Sequence, residues 1–103
     1  MSNRLDALLS FLNDTPDDPF TLYAIALEYW SLKDFPNAEK YFTKVLKADE
    51  NYLPLYMQYG NFKTEQGKKD EAKVLFIKGI LKSKEAGDNH SATEMQEFLD
   101  ELN

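Results

Sequence analysis

Apolar residues recur along the chain every three or four positions in six blocks, and Pro, Gly, Asp and Asn separate most of the blocks. That period is one face of an α-helix, not the alternation of a strand. Leu5, Leu8, Leu9 and Leu12 predict a first helix over 3–13, with Ser2 or Asn3 as its N-cap. The segment from Asn13 to Pro19 holds turn formers and two prolines, which end one helix and start the next. From Phe20 to Leu32 a second helix is apolar almost all round, so it must be covered on more than one side. A third runs from Asp34 and Pro36 to Ala48 and turns Ala38, Tyr41, Phe42, Val45 and Leu46 inward. The fourth, Leu53 to Gln66, carries Tyr56, Tyr59, Gly60 and Phe62 and tolerates Pro54 in its first turn. The fifth, Lys69 to Ala86, buries Ala72, Leu75, Phe76, Ile80 and Leu81 and stops at Gly87. Ser91-x-x-Glu94 has the form of a capping box ahead of Met95, Phe98, Leu99 and Leu102, which predicts a sixth helix over 91–102. With no β-branched run and no sustained period of two, the expected fold class is all-α.

Slid by 34 residues, the chain superimposes on itself: Leu22, Ile25, Ala26, Ala38 and Phe42 fall on Tyr56, Tyr59, Gly60, Ala72 and Phe76. Small residues at 26, 60, 38 and 72 let helix axes approach to roughly 8–10 Å while the large ones fill the gaps. In period and in this large, small and aromatic order, both units resemble the tetratricopeptide repeat. The resemblance extends backwards, since the same slide carries Phe42 to Leu8 and Glu50 to Pro16. It implies a single domain over 1–103, made of a half repeat (3–16), two full repeats (19–52 and 53–86) and a capping helix (91–102). Its architecture would be antiparallel helical hairpins stacked as a short right-handed superhelix of about six helices. Three features depart from the pattern. Lys33 stands in the turn where the second unit has Gly67, Lys63 replaces the aromatic that Tyr29 supplies, and both full repeats lack the terminal proline. Thr93 and Glu94 occupy the small-pair register of a would-be third repeat, so the last helix reads as a cap.

In this family the first helices of successive repeats line a concave groove. By that resemblance Phe20, Tyr23, Leu27 and Trp30, with Met57, Gln58 and Asn61, would face a partner protein or peptide. Their spacing of three or four puts each set on one helical face, which equally suits packing against neighbouring helices. Some family members hold a partner's C-terminal carboxylate with cations and Asn on these faces. Here Phe20, Tyr23, Leu27 and Gln58 stand at the corresponding positions, so that clamp is not assembled. The expected function is an adaptor whose groove prefers apolar or aromatic segments. Two alternatives are a homodimer built through the exposed ends of a short array and a polyanion contact through Lys68, Lys69, Lys73, Lys78 and Lys82.

Charge sharpens this reading. The formal −6 divides into −4 over residues 1–62, +4 over 63–84 and −6 over 85–103. Overall acidity argues against general nucleic-acid binding, which needs a net basic surface. The 103 residues contain no Cys, which removes a disulfide framework, a thiolate nucleophile and a thiolate zinc site, and points to a cytoplasmic setting. No stretch approaches the roughly 18 apolar residues of a membrane span. His90 and Glu94 have the spacing of two ligands on one turn, but a single His is a weak metal signal and His90 reads as a surface residue. Asp14, Asp17 and Asp18 lack the Gly and distal Glu of a calcium loop. With no nucleophile motif or phosphate-cradling loop, neither catalysis nor a cofactor is expected.

Overall fold

The computed structural model describes residues 3–103, and among these every regular element is an α-helix. They are α1 (Asn3–Asp14), α2 (Pro19–Ser31), α3 (Phe35–Ala48), α4 (Leu53–Glu65), α5 (Lys69–Glu85) and α6 (Asn89–Leu102). The expected helix ends fall within one or two residues of these, and Ser2, one of the two candidate caps, lies outside the described residues. The chain divides into two compact units between Tyr52 and Leu53.

In the first unit α2 is the central element, packed against α1 and more extensively against α3. Its start is fixed locally. The Asp18 carboxylate accepts the Thr21 N–H at 3.0 Å and the Thr21 hydroxyl at 2.5 Å, and Pro19 stands in the first turn, where no N–H is required. Leu22, Ile25 and Ala26 of α2 and Ala38, Phe42 and Val45 of α3 are all at most 2% exposed. Tyr41 and Leu46, expected inside with them, are only half-buried, because they lie at the flanks of the Ala38–Phe42–Val45 stripe.

The second unit is a three-helix arrangement in which α5 packs against both α4 and α6. Two glycines set its spacing. A Cβ built at Gly60 would lie 2.5 Å from the Phe76 ring, and one at Gly79 would lie 2.5 Å from Met95 Sδ and 2.6 Å from Tyr56 Cβ. Close approach therefore requires glycine at both positions. Phe98 of α6 stacks on Phe76 with ring centroids 5.7 Å apart. Lys63 takes the aromatic's place by burying its stem: it is 6% exposed, its Nζ lies 3.3 Å from Glu71 Oε1 and 5.5 Å from the centre of the Tyr59 ring.

Three tight connections share one design. At Lys33, Gly67 and Gly87 the backbone is left-handed, with φ of 63°, 79° and 76°. Each of these residues donates its N–H three residues back, to Trp30, Thr64 and Lys84. The next residue donates five back, from Asp34 to Tyr29, Lys68 to Lys63 and Asp88 to Ser83. This is the Schellman closure. The residue that completes it is also the N-cap of the following helix.

This geometry corrects two expectations. The cap of the last helix is Asp88, which accepts the Ser91 N–H at 3.0 Å and its hydroxyl at 2.7 Å. Ser91 is thus a donor inside the helix and not the start of a capping box. Leu81 is 57% exposed and outside the core. α5 carries two apolar stripes, and the one holding Ala72, Phe76, Gly79 and Ile80 faces inward because only it offers the small residues that close helix approach demands.

Candidate functional site

By burying Thr21, Leu22, Ala24, Ile25 and Ala26 inward, α2 leaves Phe20, Tyr23, Leu27 and Trp30 on its other side, spaced three, four and three apart. The four differ in how far they are committed to packing. Phe20 is 65% exposed, the most exposed large apolar side chain among the described residues. Tyr23 is half-buried and meets Tyr52 edge-on, with ring centroids 5.4 Å apart at 61°. Trp30 is partly anchored, its ring 6.1 Å from that of Phe42 at 73°. Leu27 is half-buried.

Tyr52 completes this strip, although periodicity did not single it out. It stands just beyond α3, where its N–H donates to the Asp49 carbonyl at 3.2 Å, and the Asp49 carboxylate accepts the Asn51 N–H at 2.9 Å. The only signal in the sequence was an aromatic in an otherwise polar turn. Burial pushes the Tyr23 phenol up from its ordinary value, and the neighbouring Tyr52 phenol adds to this. Tyr52 is raised by burial and then by the Asp18 carboxylate. Both hydroxyls are therefore neutral donors at ordinary pH.

Tyr29 of α2 and Tyr41 of α3 lie 5.6 Å apart, and Lys40 and Lys44 of α3 stand 5.9 and 5.8 Å from the Tyr41 ring. In the second unit Met57, Gln58 and Asn61 share one half-exposed face of α4, opposite the buried Leu55, Tyr56, Tyr59 and Phe62. His90 is exposed and pairs with Glu94 at 2.8 Å. Among the described residues no three His, Asp or Glu side chains converge as a metal site, and no helix is long and apolar enough to cross a membrane.

Residues 21–52 match the tetratricopeptide repeat model. A tetratricopeptide repeat domain protein from Salinibacter ruber superimposes with a TM-score of 0.81 at 26% identity, over 85% of this chain and 89% of that one. The TPR2B domain of yeast Sti1, solved in a complex with pHsp70, superimposes with a TM-score of 0.87 at 18% identity, over 95% of this chain and 78% of that one. The human protein O-mannosyl-transferase TMTC2 is 33% identical over 63 residues, which is 60% of this chain. The chain spans only 8% of that relative's length. One segment thus matches a tetratricopeptide repeat, and the six-helix fold is that of tetratricopeptide repeat domain proteins.

Proposed function

We propose that the chain is a protein-binding module whose α2 face receives an apolar or aromatic segment of another protein. The observation that carries this reading is Phe20, left 65% exposed at the head of a strip that continues through Tyr23, Leu27 and Trp30. A soluble fold gains nothing from exposing a phenylalanine there, whereas a partner that covers it gains about 1.5–3 kcal/mol before the costs of association are subtracted. The hydroxyls of Tyr23 and Tyr52 add directional donors beside the apolar surface, the combination that favours aromatic residues at interfaces. On α4, Met57 with the amides of Gln58 and Asn61 offers apolar contact and groups able to bond a peptide backbone.

The Sti1 domain is a neighbour at 18% identity whose structure contains pHsp70. That partner does not transfer, because Phe20, Tyr23, Leu27 and Gln58 stand where carboxylate-holding relatives carry cations and Asn. A displayed random-peptide library panned on the whole chain tests the proposal. Enriched peptides should be rich in Leu, Phe, Tyr and Trp, and should lose binding to Phe20→Ser and to Tyr23→Ala with far-UV circular dichroism unchanged. Enrichment that survives both substitutions would remove the α2 face as the site.

A further inference from the structure

At the head of the α2 strip, aromatic rings stand beside unmatched negative charge. Tyr23 and Tyr52 meet edge-on at 61°, so neither covers more than one π face of the other, and both are only half-buried. Two carboxylates stand on the turns beside these rings. Asp18 accepts both bonds from Thr21 through Oδ2, and its charge is felt at the Tyr52 phenol. Asp49, three residues before Tyr52, accepts the Asn51 N–H through Oδ1. Among the described residues Asp18 Oδ1 and Asp49 Oδ2 accept no hydrogen bond and join no ion pair. Asp17 and Glu50 are exposed next to them in the chain.

Opposing charges are few. No Lys, Arg or His occurs from 5 to 32 or from 48 to 62. Lys44 and Lys47 of α3 line an open cleft of about 410 Å³ with Asp17 and Leu22, and Leu22 lies about 100° round α2 from Tyr23. Counted with the head, these two amines still leave the carboxylates ahead by four to two, and the α2 N-terminus adds only about half a positive charge. At the tail of the strip the signs are mixed, with Arg4 3.6 Å from Glu28 and Lys33 followed by Asp34. The one-sided charge is at the head.

On the reading that the α2 face is the binding surface, we propose that its head selects a partner segment carrying a lysine or arginine beside its apolar anchor. The cation faces the Tyr23 and Tyr52 rings and is balanced by Asp18 and Asp49, while the anchor covers Phe20. An ammonium or guanidinium is drawn to the face of a tyrosine ring, and a carboxylate with an unused oxygen adds a charge-assisted acceptor. The chain's overall −6 acts in the same direction by steering a basic segment toward it. Other occupants fit less well. An acidic segment, a nucleic acid or an anionic membrane meets four carboxylates, and a metal ion finds no three His, Asp or Glu converging among the described residues.

The probes are two displayed peptide libraries that share randomised Leu, Phe, Tyr and Trp positions and differ only in fixed flanks, Lys in one and Glu in the other, panned on the full chain. The Lys library should enrich and the Glu library should not. The best Lys clone, resynthesised with norleucine in place of lysine, should bind at least fivefold more weakly by fluorescence anisotropy. Asp18→Asn and Asp49→Asn keep the local hydrogen bonds and remove only charge. Each should weaken the Lys peptide about three- to tenfold and leave the norleucine peptide unchanged, with circular dichroism unaltered. Equal enrichment of both libraries, or a norleucine peptide as tight as the Lys peptide, overturns this inference alone when binding is still lost in Phe20→Ser. Enrichment from neither library, or binding that survives Phe20→Ser, removes the α2 face and this inference with it. Sedimentation as a dimer that Asp18→Asn dissociates overturns it in favour of a second copy.

Discussion

Lys33 carries a left-handed backbone, φ 63°, at the position where the two equivalent connections use Gly67 and Gly87. For an L-residue this conformation costs about 1–2 kcal/mol. Replacing Lys33 by Gly removes that strain but loosens the unfolded chain, which returns about 0.4–1 kcal/mol. The hydrogen bonds of the closure are backbone bonds and survive the change: Lys33 N–H to Trp30 and Asp34 N–H to Tyr29, both 2.9 Å. The exposed lysine side chain contributes little. The net expectation is a gain of about 0.5–1 kcal/mol, or about 2–8 °C in Tm for a domain of this size. Urea unfolding followed by circular dichroism should show a higher midpoint with an unchanged slope. The reciprocal change isolates the backbone contribution, because nothing lies within 4 Å of a Cβ built at Gly87. Gly87→Lys should therefore lose about 1 kcal/mol through φ alone, and Lys33→Asn should fall between Lys and Gly. A midpoint that does not rise in Lys33→Gly, or does not fall in Gly87→Lys, refutes the reasoning.

Of the three residues that close one helix and begin the next, only Lys68 makes no side-chain cap, so Lys68→Asp should add about 1 kcal/mol, read in the same urea assay. Gly79→Ala should cost about 1–3 kcal/mol, because its Cβ meets Met95 and Tyr56 at once. The buried Ser83 hydroxyl has no hydrogen-bond partner, so Ser83→Ala should be neutral or stabilising by up to about 1 kcal/mol. Burial raises the Tyr23 phenol above its ordinary 10.0, so the folded state favours the neutral form. That stability is full below pH 10 and is lost as pH rises toward the folded value, and tyrosinate absorbance should lag that of the urea-unfolded chain. Asp88 is displaced in the opposite sense, its carboxyl lowered chiefly by the hydrogen bonds from the Ser91 hydroxyl and N–H. Its contribution holds above the usual aspartate range and disappears as pH falls through its own lower value, so α6 should fray in acid and Asp88→Ala should remove that dependence.

The helices and their hairpin pairing were legible because small residues at 26, 38, 60 and 72 recur in one register, and only close packing requires them. Less legible were features that depend on which of two chemically acceptable partners is nearer. Ser91 and Glu94 have the spacing of a cap, yet Asp88 reaches the same N–H groups first because the preceding Gly87 turns the chain back on itself. Leu81 and Ile80 are equally apolar neighbours, and only the positions of Gly79 and Met95 decide which one faces inward. Tyr52 lies outside every periodic block, and its place beside Tyr23 is set by the path of the turn after α3. On α2 the spacing of Phe20, Tyr23, Leu27 and Trp30 announced a shared face but not its exposure, which ranges from the open Phe20 to the half-anchored Trp30.

Because Asp34, Lys68 and Asp88 each terminate one helix and initiate another, there is no spare residue at these three joints. An inserted residue there would separate stop from start, cancelling the six-to-one bond of the outgoing helix and misplacing the cap of the incoming one. The connections at 15–18 and 49–52 are not built this way. They are where this chain can gain length during evolution, or accept an engineered tag or epitope, without unpairing a hairpin.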